Sequence, residues 1–233
     1  MRSEWLMNLE SPIILAVDST EISKVRRLIE ETSPFIGVYK FGLEFYLKHG
    51  APALRELRST YDFRLFLDLK LHDIPNTVSK AVASISELDP FILTVHSAGG
   101  SAMVSAASQA LPNTLVAAVT VLTSLEQDDL DRMGFGSSIS DLSLALTTNS
   151  IEAGAKAIVT SPHEVSALKE LFPTTVMITP GIRATDDVRG DQSRVMSARE
   201  AIDRGSDFLV IGRPITQAPS PGEAADRILN TLG

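Results

Sequence analysis

The densest chemistry in the sequence lies in ten residues, Asp68-Leu69-Lys70-Leu71-His72-Asp73-Ile74-Pro75-Asn76-Thr77. In a strand, residues two apart share a face, so Asp68 and Lys70 are expected to point to the same side. Asp73 follows in the adjoining loop. Two anions flanking one lysine keep it protonated, and a fixed ammonium can neutralise a carbanion and then hand it a proton. A structural ion pair closing the barrel is the lesser alternative for an isolated D-x-K. The third charge and the Pro-Asn-Thr turn favour the chemical use.

A second group suits a phosphate. Gly212-Arg213 follows an apolar run, where backbone N–H groups at a helix start and a bidentate guanidinium can bind an anion. Arg183 and Gln192 bracket a long loop and could fold over the same anion. An ordinary turn with a solvated charge fits Gly-Arg alone as well. Among the histidines, His49 and His163 are expected near helix ends in solvent. His96 ends a strand, either as a ligand contact or as a hydrogen-bonded structural residue. His72 shares the face of Asp68 and Lys70 only if the strand stays regular. A metal site built from His72, His96 and carboxylates lacks the HxxxH or HxH spacing that would support it, so no metal is expected.

Elements that position these groups follow from the hydrophobic pattern. Short apolar runs occur at Ile13–Val17, Phe35–Phe41, Arg64–Leu69, Phe91–Val95, Leu115–Leu122, Ala155–Val159, Thr175–Ile178 and Phe208–Ile211. Between them lie amphipathic stretches at Ile22–Glu31, Val78–Leu88, Ala102–Leu111, Leu142–Glu152, Glu164–Phe172, Val195–Arg204 and Ala224–Leu232. Continuous apolar strands alternating with helices predict a parallel sheet covered on its outer face. Pro75 suits a first helical turn, Ser97 to Ser101 a small-residue helix start, and Gly154 and Gly205 helix ends. The expected fold is α/β, a single-domain (β/α)8 TIM barrel over residues 1–233, with a doubly wound open sheet as the alternative. Residues 1–11 and 126–140 receive no role, and 124–141 and 181–192 are the longest irregular stretches. In the barrel scheme Asp18, Lys40, Asp68, Lys70, His96, Thr123, Arg183 and Gly212-Arg213 all fall late in strands or just past their C-terminal ends. That is the end at which barrels build active sites.

Composition narrows the classes further. The chain of 233 residues carries 21 Lys+Arg against 29 Asp+Glu, a net charge of −8, and shows no basic cluster interleaved with aromatics. Nucleic-acid binding is therefore not expected. Cysteine is absent, which removes disulfides, thiolate nucleophiles and thiolate zinc sites and suits a reducing cytoplasm. The N-terminus carries Arg2 but also Glu4 and Glu10, with no apolar h-region following. The longest apolar stretch, Leu115 to Leu122, is too short for a membrane span, so a soluble cytoplasmic protein is expected.

The segment Asp68–Thr77 resembles the signature of orotidine 5′-phosphate decarboxylases, which form UMP in pyrimidine synthesis. The resemblance extends through Leu15-Ala16-Val17-Asp18, Lys40-Phe41-Gly42-Leu43-Glu44, Thr120-Val121-Leu122-Thr123, Thr179-Pro180-Gly181-Ile182-Arg183, Asp191-Gln192 and Ile211-Gly212-Arg213-Pro214-Ile215. The D-x-K-x-x-D core is shared with a wider group of phosphosugar barrels; the remaining segments carry the narrower match. The resemblance implies that Lys70 protonates C6 of the pyrimidine and that Asp68 sits beside the substrate carboxylate. It implies that Asp73 completes the charge network from a neighbouring subunit of a homodimer with shared sites. Asp18 and Lys40 would hold ribose hydroxyls, Thr77 would reach the same sugar across the dimer, and Thr123 would meet the pyrimidine. Arg183, Gln192, Gly212 and Arg213 would bind and enclose the phosphate. No cofactor or metal enters this scheme. Where such sequences often carry Thr-Pro at a helix start, this one has Met196-Ser197-Ala198, and Ser197 can still cap.

Two other readings stay open at this stage. A metal-dependent phosphosugar decarboxylase or aldolase of the same barrel group needs an acidic ligand beside Asp68, which Asp18 could supply. A non-catalytic nucleotide-binding barrel would gain nothing from a lysine held between carboxylates.

Overall fold

The computed structural model describes residues 11–182 and 196–232. Eight parallel strands close into a barrel in sequence order, so the open-sheet alternative falls. They are β1 (Ile13–Val17), β2 (Val38–Gly42), β3 (Arg64–Leu71), β4 (Ile92–His96), β5 (Leu115–Val119), β6 (Ala157–Val159), β7 (Val176–Thr179) and β8 (Phe208–Ile211). The outer layer comprises α1 (Ile22–Thr32), α2 (Leu43–Thr60), α3 (Pro75–Ser84), α4 (Ser101–Ala110), α5 (Gln127–Arg132), α6 (Ile139–Glu152), α7 (Val165–Leu171), α8 (Ala198–Asp203), α9 (Arg213–Thr216) and α10 (Pro221–Asn230).

Strand alternation divides the core in two. Ile14, Val38, Phe66, Ile92, Leu115, Ala157, Val176 and Phe208 fill the barrel interior. Their strand neighbours Ile13, Leu15, Tyr39, Leu65, Leu93, Val116, Ile158, Met177 and Leu209 face the helices. Each strand is thus apolar on both faces, the pattern a covered parallel sheet requires. In α1, Val25, Leu28, Ile29 and Thr32 are buried, one stripe at helical spacing. Against it, α10 packs so closely that a Cβ on Gly222 would meet the Glu31 carbonyl oxygen at 2.5 Å.

Helix ends follow the expected chemistry. Pro75 opens α3, and Gly154 and Gly205, both with positive φ, follow α6 and α8. Ser197 caps α8 through a reciprocal pair of bonds with Glu200.

The helical layer departs from expectation in three places. The (β/α)8 scheme requires a helix between β2 and β3, but none of the amphipathic stretches named above falls there; α2 fills the place. Gly50, at φ 64°, and Pro52 interrupt it, and the resulting kink breaks the helical period that would have revealed it. The stretch 124–141, expected to be irregular, contains α5 and the start of α6. Finally, α6, expected over Leu142–Glu152 from its amphipathic pattern, buries Ser143, Thr147 and Ser150 rather than its leucines, so its inward stripe is polar. Ser143 spends its hydroxyl on Thr120, 3.2 Å away.

Candidate active site

At the C-terminal ends of the strands lies a cavity of about 300 Å3. Asp18, Lys40, Asp68, Lys70, Thr123, Gly212 and Arg213 line it, so seven of the expected site residues converge from five strands. Phe66, Val119, Val159 and Val210 form its apolar floor. Arg183 and Gln192 lie outside the described residues.

Asp68 is the hub. One carboxylate oxygen, Oδ1, accepts from Lys70 Nζ at 2.7 Å, and Oδ2 accepts from Lys40 Nζ at 3.0 Å. Within one chain the row is therefore cation–anion–cation, not the anion–cation–anion row expected around Lys70. Asp73 accounts for the difference: it is exposed, and its Oδ1 accepts from the Ile74 N–H at 2.7 Å. Neither Asp73 nor Thr77 belongs to the cavity lining among the described residues. Burial opposes the charge on Asp68, but the ammonium groups of Lys40 and Lys70 outweigh it and hold the carboxyl at about 2. The group is ionised at any physiological pH.

Asp68 and Lys70 do share a side, but regular alternation is not the reason. The β3–β4 register runs Phe66 to Ile92 and Leu67 to Leu93, then resumes only at Leu71 to Val95. Asp68, Leu69 and Lys70 thus oppose Thr94 alone, in a bulge. Lys70 takes φ 45° there, the left-handed region that costs a non-glycine residue about 1 kcal/mol or more. Such strain persists only where surrounding contacts over-determine it. Here the Lys70 N–H, taken out of the ladder, donates to Thr94 Oγ1 at 2.9 Å, and the Thr94 hydroxyl donates to Asp68 Oδ1 at 3.0 Å.

Thr94 was not singled out from the sequence. Its signal was a hydroxyl residue inside the apolar run Ile92–Val95, two positions before His96 and so on the same strand face.

The irregular strand also answers the question of His72. It is exposed beyond the bulge, with its ring 5.3 Å from that of half-buried His96. Burial first, then the nearby His72 and Lys70, hold the His96 imidazole below the usual histidine pKa, against the pull of Asp68. Contrary to expectation, His49 is not simply solvated: its Nε2 lies 2.7 Å from the Thr20 carbonyl oxygen and its ring packs on Phe45. His163 is exposed, as expected.

On the opposite wall, Gly212 and Arg213 follow β8, and Arg213 begins α9. A Cβ at position 212 would stand 2.5 Å from Asp18 Oδ2, so only glycine leaves that carboxylate its place.

Residues 11–228 match the model of the orotidine 5′-phosphate decarboxylase / HUMPS family. The chain belongs to this family. Among relatives within it, orotidine 5′-phosphate decarboxylase of Thermobifida fusca is 44% identical over 218 residues, covering 93% of this chain and 94% of its own. That of Novosphingobium aromaticivorans is 42% identical over 225 residues, covering 96% of this chain and 100% of its own. Among solved structures, orotidine 5′-phosphate decarboxylase from Lactobacillus acidophilus superposes with a TM-score of 0.85 at 29% identity, covering 96% of this chain and 100% of that one. These family members carry the decarboxylase name, which favours that branch over the phosphosugar enzymes.

Proposed function

We propose that this protein is a carboxy-lyase that converts orotidine 5′-monophosphate to UMP and CO2 in pyrimidine biosynthesis. The observation that carries the reading is the fixed Lys40–Asp68–Lys70 row at the mouth of the barrel. The decarboxylase name shared by the relatives supports it from outside the geometry.

The chemistry needs what that row offers. Breaking the bond between C6 and its carboxylate leaves the electron pair on C6, in an orbital that the ring carbonyls do not delocalise well. A positioned ammonium in a cavity with an apolar floor stabilises that charge without reorganising. Lys70 Nζ then gives its proton to C6, and the neutral amine regains one from solvent. Asp68 holds Lys70 in place, and it lies beside the departing carboxylate. The scheme calls on no cofactor or metal.

Binding falls to the rest of the wall. Gly212 and Arg213, with Arg183 and Gln192, take the phosphate; Asp18 and Lys40 take the ribose; Thr123 meets the pyrimidine. Phosphate contacts remote from C6 supply binding energy that the reacting end can use. Lys40 has a second duty in this reading, since it already neutralises Asp68.

A homodimer with shared sites accompanies the proposal. Residues 72–77 are all exposed, with Ile74 at 67%, and a second copy seated on them would carry Asp73 and Thr77 toward the partner's cavity. No helix among the described residues is long and apolar enough to cross a membrane. A cytoplasmic location agrees with the absence of cysteine.

The test is the ultraviolet absorbance of orotidine 5′-monophosphate with the purified protein, with and without EDTA. Decay to the UMP spectrum, untouched by EDTA, is the expected result. Decay that EDTA stops would favour the metal-dependent branch. UMP binding without decay would favour a sensor.

A further inference from the structure

We propose that Thr94 is the positioning residue that aims Lys70, acting through its hydroxyl alone; the inference rests on the decarboxylase reading of the site. Thr94 is 1% exposed and is the β4 residue that opposes the bulge. Its hydroxyl closes a ring of hydrogen bonds. The Lys70 N–H donates to Thr94 Oγ1, Thr94 donates to Asp68 Oδ1, and the same Oδ1 accepts from the Lys70 ammonium. Lys70 is therefore gripped at both ends, by its backbone and by its side-chain tip, through two neighbours that also bind each other.

This ring has a specific consequence. The left-handed φ of Lys70 removes its N–H from the strand ladder, and a buried N–H without a partner is disfavoured. The Thr94 hydroxyl satisfies it and so selects the bulged conformation. A hydroxyl is needed because one atom must both accept from nitrogen and donate to a carboxylate. Valine fills the same space and can do neither. Without the hydroxyl, β3 relaxes toward regular alternation and the ammonium leaves the position that Asp68 marks. Phosphate binding, which the proposed function places on Gly212 and Arg213 away from this ring, is spared.

The experiment compares Thr94→Val, Thr94→Ser and wild type for decarboxylation, UMP affinity and crystal structure. Thr94→Val is expected to lose about 10²-fold in kcat, the effect of displacing a reacting group by roughly 1 Å. Its KM and UMP affinity are expected to stay within about threefold, the mark of an interaction used in the transition state. Thr94→Ser is expected to restore most of kcat. A merely structural threonine would lower Tm in both variants yet leave kcat per folded site unchanged, and that result overturns the proposal. Equal losses in Val and Ser variants also overturn it. Should Thr94→Val not fold, Thr94→Ala against Thr94→Ser makes the same comparison. If wild type binds UMP but does not decarboxylate, the function fails separately. The structures then decide Thr94 by whether Lys70 keeps positive φ and its contact with Asp68 in the variant without a hydroxyl.

Discussion

Gly212 and Asp18, each one residue past the end of a strand at opposite ends of the barrel's chain order, touch so closely that the hydrogen in place of a side chain at 212 leaves room for the Asp18 carboxylate. A methyl group there would stand 2.5 Å from Oδ2 and 3.5 Å from the Ala16 Cβ. The carboxylate, as the far end of a side chain, must give way. Gly212→Ala is expected to fold normally but to raise KM for the nucleotide about tenfold, roughly 1.4 kcal/mol of binding. A KM equal to that of wild type would show that Asp18 does not hold substrate from this position.

Lys70→Ala removes the proposed proton donor and half of the cationic row. Turnover is expected to fall by at least about 10²- to 10⁴-fold, the range for loss of a positioned acid. UMP binding is expected to survive, because the contacts proposed for its phosphate and ribose come from other residues. Isothermal titration beside the absorbance assay separates the two effects, and retained turnover would take Lys70 out of its role.

Asp68 links acid stability to the site. Its folded pKa of about 2 lies below the unfolded value of 3.8, so its contribution is fully present above pH 4 and fades as pH falls through 2. The contribution is on the order of 2 kcal/mol. Urea midpoints of wild type should therefore fall between pH 4 and 2 more steeply than those of Asp68→Asn, which keeps the shape but not the charge. Parallel slopes would mean that the two lysines do not depress this carboxyl.

Asp73 tests the shared site. Neither Asp73→Asn nor Lys70→Ala alone should turn over appreciably. Subunits mixed by unfolding and refolding should recover roughly a quarter of wild-type activity, since half the dimers are mixed and each has one intact site. A mixture as inactive as its parents would place Asp73 in its own chain's chemistry or in none.

Much of this architecture was legible because closed α/β barrels write it plainly. The bounds of β1 and β8 follow directly from their apolar runs, and β3 was extended only by its bulge. Polar residues ending those runs marked the mouth of the barrel, which is why Asp18, Lys40, Thr123 and Arg213 were found. What stayed hidden depends on relations between elements rather than within them. The pairing of Lys40 with Asp68 is a matter of β2–β3 register, and Thr94 acquires its partners only because β3 slips against β4. Similarly, α6 turns Ser143 inward to meet Thr120 and Thr160, which no hydrophobic pattern encodes.

The seam between β1 and β8 has a bearing on how the protein is made. Ile13 pairs with Leu209 and Leu15 with Ile211, so the barrel shuts only when the latest strand synthesised reaches the earliest. Asp18 and Gly212-Arg213 stand on the two lips of that seam. Contacts so distant along the chain form late, because they carry the largest loop-closure entropy. A chain still on the ribosome can hold Lys40, Asp68 and Lys70 in paired βα units before Gly212 and Arg213 have reached the barrel mouth. Ligand affinity should therefore appear only once β8 has joined β1, and no form truncated before β8 should compete for the nucleotide.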